Sequence, residues 1–92
     1  MASPRFDKET QPEGYKLMLW TESFLKSHWD CGGDMPLDEW SRKLIDDSEK
    51  YAQQFQKDTW IQPLAHDMIL DIISYLMKKR NWLDQIKREK NG

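Results

Sequence analysis

The 92 residues amount to one domain with room for a single core; 33% of the side chains are charged and the formal net charge is −2. The lone cysteine, Cys31, excludes an internal disulfide and a cysteine-built zinc site, and it suits a reducing cytoplasm. The longest apolar run, residues 64–77, carries Asp67 and Asp71 and is shorter than the roughly twenty nearly uncharged residues a membrane-spanning helix needs, while residues 1–14 do not read as a secretory signal.

Residues 1–13 have no periodicity and few apolar side chains, so they read as a flexible lead segment with Phe6 as an anchor, and residues 14–92 as a single helical domain. The first helix is predicted over 14–29. Leu17, Trp20, Phe24 and His28 line one face at helical spacing, with Met18, Leu25 and Trp29 widening it, and Glu22 and Lys26 form an outer i, i+4 pair. Gly32 and Gly33 supply the left-handed conformations that end a helix.

A second helix is predicted over 35–57, with Asp34 as its cap and Pro36 in its first turn. Leu37, Trp40, Leu44, Ser48, Tyr51 and Phe55 make its inner face, and Glu39, Arg42, Lys43, Asp46, Asp47, Glu49 and Lys50 its solvated one. Lys57, Asp58 and Thr59 then turn the chain. Thr59 with Gln62 has the form of a capping box, and Pro63 sits one position too deep for it.

The third helix, 62–80, is the one the others must cover. Ten of the fourteen residues from 64 to 77 are apolar, and Asp67, Asp71, Ser74 and Lys78 form a single narrow polar stripe, so the pattern predicts a rod buried around most of its circumference. Lys78, Lys79 and Arg80 suit its C-terminus. Trp82, Leu83 and Ile86 predict a short fourth helical segment over 82–89. The fold class is all-α: a small three-helix bundle with that fourth C-terminal segment.

Charge is graded along the chain. Residues 1–77 hold 8 basic and 14 acidic side chains, and residues 78–92 hold 6 basic and 2 acidic, so −6 is followed by +4. Five tryptophans supply the other surface signal. Trp20 and Trp40 lie on core faces, whereas Trp29, Trp60 and Trp82 are harder to bury and read as interface anchors beside basic residues.

Catalytic constellations are sparse. His28, then His66 with Asp67, then Asp84 occur in an order that resembles the H…HD…D pattern of the HD-type phosphohydrolases, a resemblance that implies metal-assisted phosphoester hydrolysis. Asp67 and Asp71 with Asp46, Asp47 or Glu49 suggest a magnesium site of the kind found in all-α nucleotide pyrophosphohydrolases, whose paired acidic motifs are not reproduced here. No glycine-rich phosphate loop and no nucleophile and base pairing are present.

The reading these features favour is a non-enzymatic cytoplasmic interaction protein, without cofactor or bound metal. It resembles in type the small accessory proteins of bacteriophages and mobile elements that bind and inhibit or modulate a larger host complex such as a nuclease or defence complex. The partner-binding residues are predicted to be Trp82, Lys78, Lys79, Arg80, Lys87, Arg88, Trp60 and Trp29 on the basic side, and Asp38, Glu39, Asp46 and Asp47 on the acidic side. Direct nucleic acid binding through the basic C-terminal segment is the first alternative, and a small metal-dependent phosphohydrolase the second. Self-association is a further partner option, because so apolar a third helix needs more cover than two others supply.

Overall fold

The computed structural model describes residues 5–57 and 60–91. Among these residues it contains three α-helices: α1 (Pro12–His28), α2 (Leu37–Gln53) and α3 (Gln62–Asn91). All three pairs of helices touch. The fold is therefore all-α, as the periodicity predicts.

α1 begins two residues earlier than predicted, with Pro12 in its first turn, where a missing N–H costs nothing. The chain enters it through a hydrogen-bonded turn. Asp7 Oδ1 accepts from the backbone N–H groups of Glu9 (2.7 Å) and Thr10 (3.2 Å), and Gln11 Oε1 accepts from the Asp7 N–H. These bonds hold the Asp7 carboxyl below its usual range. Phe6 lies flat against Gly14, where a methyl group would overlap the ring. The predicted outer pair forms, with Lys26 Nζ 3.0 Å from Glu22 Oε1.

The α1–α2 connection is wound left-handed through three residues in succession: Cys31 (φ 55°), Gly32 (φ 85°) and Gly33 (φ 58°). The glycines adopt this freely; Cys31 does so at a cost and needs the surroundings to hold it. Gly32 is required twice over, because a Cβ there would also stand 2.7 Å from the Trp40 indole. α2 starts with Pro36 as the residue before the helix and no side-chain cap, so Asp34 does not take the capping role predicted for it. α2 stops at Gln53, four residues short of the predicted end. The Gln54 carbonyl accepts from Lys16 Nζ, whose ammonium also lies 5.2 Å from the centre of the Phe55 ring. Asp58 and Thr59, within the turn predicted there, lie outside the described residues.

Leu17 and Phe24 from α1, Trp40, Leu44 and Tyr51 from α2, Phe55 just after it, and Ala65, Ile69 and Leu76 from α3 form the core, with Cys31 at one end. Phe24, Tyr51 and Phe55 meet at tilted or edge-on angles, 5.1 and 6.3 Å between neighbouring centroids. Two expectations fail here. The fourth segment is not separate: α3 runs on through Asn81 without a break, because no glycine or proline interrupts it and the Arg80–Asp84 pair (2.9 Å) spans the point one turn apart. Nor is α3 an enclosed rod. Two 17-residue helices cover one side of a 30-residue one, leaving Leu64 (50% exposed), Leu70 and Tyr75 (53% exposed) open to water. Among the described residues, no helix is long and apolar enough to cross a membrane.

Candidate functional site

A buried chain of polar side chains lies on the seam between α1 and α2. His28, the last residue of α1, is 1% exposed and sits among Phe24 and Trp40, and an imidazole in such company must find polar partners. It finds two on α2. The Trp40 indole Nε1–H donates to His28 Nδ1 over 3.2 Å, and Nε2 lies 2.7 Å from Asp47 Oδ2. Indole nitrogen only donates, so the network assigns the proton to Nε2, which donates to the carboxylate. The relay thus runs Trp40 to His28 to Asp47 with every atom accounted for. Nearby, Thr21 Oγ1 and the Tyr51 hydroxyl lie 2.9 Å apart, and burial pushes the Tyr51 phenol upward so that it stays protonated.

Asp47 is the one member of the relay that reaches water. It lines a cleft of about 180 Å³ together with Trp20, Ser23, Ser27 and Lys50, and Lys50 Nζ stands 4.0 Å from Asp47 Oδ1. A second, larger cleft of about 510 Å³ runs along the outer side of α1 between Phe6, Tyr15, Met18 and Leu25, with Arg5 and Glu22 at its edge.

The structure distributes the predicted partner-binding residues unequally. Arg80 is not a surface residue. It is 8% exposed, pairs with Asp84, and donates from its two terminal nitrogens to the carbonyls of Cys31 (2.9 Å) and Met35 (2.8 Å), because the left-handed α1–α2 connection leaves those carbonyls pointing inward. Lys79 and Trp29 are spent on each other: the ammonium lies 3.8 Å from the centre of the indole ring and donates to the Trp29 carbonyl over 2.8 Å. Lys87 stands 3.5 Å from Asp34. Lys78 and Arg88 are exposed, as are Trp60 (93%) and Trp82 (59%) on α3's side of the molecule. Asp38, Glu39 and Asp46 are exposed along α2, whereas Asp47 is half-buried in the relay.

The phosphohydrolase-like set is not assembled. His28 lies in the core, His66 and Asp67 are exposed in the first turns of α3, and Asp84 is paired with Arg80. Nor do Asp46, Asp47, Glu49, Asp67 and Asp71 converge: no group of three or more His, Cys, Asp or Glu among the described residues could hold a metal ion.

Cys31 is fully buried, its Sγ 3.5 Å from the Leu76 carbonyl, and burial pushes its thiol above the ordinary range. An acid whose folded pKa is raised leaves stability intact below the unfolded pKa and forfeits it as pH climbs through the folded one. Alkylation of Cys31 by iodoacetamide is therefore expected to be blocked in the native protein and rapid in urea, and the urea midpoint should fall as pH is raised past the ordinary thiol pKa. A Cys31→Ala variant should lose the part of that fall that sets in at the thiol, while the part due to the buried Tyr51 phenol remains at higher pH.

No family model matches the chain, and no solved structure matches it. Among curated proteins, the chain is 33% identical over 89 residues to an uncharacterised glycosyltransferase of Methanocaldococcus jannaschii; the match covers 90% of this chain and 31% of the relative. The chain thus spans about a third of the length of the relative it matches. This finding overturns the expectation of a non-enzymatic inhibitor or modulator of a host complex, because the relative that the chain matches is described as an enzyme, a glycosyltransferase.

Proposed function

We propose that this chain serves glycosyl transfer, as a helical unit that binds a sugar-bearing substrate. The observation that carries the reading is the 33% identity to a glycosyltransferase over nearly all of the chain. Since the shared stretch is 31% of the relative, the reading concerns a segment's contribution to such an enzyme. The Asp47 cleft supports it chemically. His28 ties down Oδ2 and so fixes the carboxylate, leaving Oδ1 to accept from a hydroxyl; Ser23 and Ser27 add groups that both donate and accept, and Trp20 adds a flat apolar wall. A cytoplasmic setting accompanies this reading, in keeping with the buried free thiol of Cys31.

The test is a titration of intrinsic tryptophan fluorescence with nucleotide-activated hexoses and with simple disaccharides, alongside an assay for released nucleoside diphosphate. A saturable response is expected, and Asp47→Asn should weaken it about five- to tenfold while leaving the melting temperature near that of the parent, since an amide oxygen can still accept from His28. A chain that responds to no sugar or sugar nucleotide, or whose response ignores Asp47→Asn, removes the proposal.

A further inference from the structure

The outer side of α3 carries an apolar line that α1 and α2 leave largely uncovered. Leu64, Tyr75 and Trp82 are each half exposed or more, Ile86 is partly buried, and Met68, packed in part against the core, marks the inner margin of the line. On a helix turning 100° per residue these five fall within one narrow sector, away from Ala65, Ile69 and Leu76, which point into the core. Such a stripe over most of a 30-residue helix is longer than isolated surface apolar residues account for.

The charges beside the stripe say what fits it. Asp67 and Asp71 lie along one flank in the first half of α3, and Lys78 lies on the same flank in the second half; all three are exposed. Asp71 has no ion-pair partner within the chain among the described contacts, and neither has Lys78. When two copies of a helix pack antiparallel about a two-fold axis, each flank faces the same flank of the other copy, with the sequence direction reversed. Acid in the first half then meets base in the second, twice per pair. A parallel pairing turns that flank toward the opposite one, where Lys79 is already held by Trp29.

We propose that the outer face of α3 binds a second copy of this chain, antiparallel, with the two-fold axis near Ile73. In that register Leu64 of one copy packs on Trp82 of the other, Tyr75 lies beside the axis, and Lys78 of each copy lies between Asp67 and Asp71 of its mate. The contact is isologous and closes on itself. It is independent of the glycosyl-transfer reading, and each stands or falls alone.

Because the three charged residues are exposed, their substitution leaves the monomer fold in place, which circular dichroism checks. Sedimentation equilibrium of the full chain should show a dimer. Lys78→Asp alone and Asp71→Lys alone should each weaken it about tenfold or more. Mixing those two variants should restore dimers in large part, because both contacts between positions 71 and 78 are then between opposite charges and only one of the two contacts with Asp67 is not. A Leu64→Cys variant mixed with a Trp82→Cys variant should give a heterodimeric disulfide under mild oxidation in preference to either homodimer. A chain that stays monomeric at millimolar concentration, dimers indifferent to the charge changes, or a preference for Leu64→Cys homodimers overturns the proposal.

Discussion

Arg80→Met is expected to lower the free energy of unfolding by about 3–5 kcal/mol. The guanidinium fills one buried position with three obligations: the Asp84 carboxylate through Nε, and the Cys31 and Met35 carbonyls through its two terminal nitrogens. Methionine replaces the stem but leaves two inward carbonyls and a carboxylate unpartnered, and it removes the cation that lies 5.7 Å from the centre of the Trp40 ring. Lysine keeps the charge and loses the planar fork, so Arg80→Lys should recover only part of the loss. Urea unfolding followed by far-ultraviolet dichroism gives the comparison. A cost below about 1 kcal/mol, the size of an exposed pair, would show that the guanidinium contributes no more than a surface charge.

The second large effect is expected at His28. His28→Leu should cost about 2–3 kcal/mol, because leucine fits the apolar surroundings but leaves the Trp40 indole N–H buried without an acceptor. Asp47 suffers less, since its half-exposed carboxylate can turn to water. Trp40→Phe removes the orphaned donor, so the double variant His28→Leu with Trp40→Phe should be more stable than the sum of the two single losses predicts, by about 1 kcal/mol. Strict additivity in that cycle would mean that the indole and imidazole do not act on each other.

Both residues show where reading the sequence succeeds and where it stops. The inner faces of α1 and α2 are legible because Leu17, Phe24 and His28, and then Trp40, Leu44, Tyr51 and Phe55, recur at steps of four and seven residues, one and two helical turns. The role of Arg80 is not legible, because a third basic residue in a row at the end of an apolar run has the form of a helix-end dipole partner, and its buried role depends on a connection 49 residues earlier. Asp47 stands among Asp46 and Glu49 on a polar face, and that pattern points it to solvent. The available clue was His28 itself, an ionisable ring on an otherwise apolar face. The openness of α3 was not legible either, since it arises from the unequal lengths of three helices and not from any pattern within one. Function was less legible than fold: the inhibitor reading rested on the absence of a catalytic motif, and the similarity to a glycosyltransferase replaced it.

The left-handed connection between α1 and α2 also constrains the order in which the molecule assembles. A helical hairpin usually forms early, because its contacts are close in sequence and little chain entropy is lost in closing it. Here the hairpin's own turn contains a non-glycine residue at φ 55°, and the carbonyls that this geometry directs inward are satisfied by a side chain from α3. The first two helices can associate before α3 arrives, but their turn cannot take its final shape. Completion of the most local feature of the fold therefore waits on one of its most distant contacts, which favours the chain folding and unfolding as one cooperative unit.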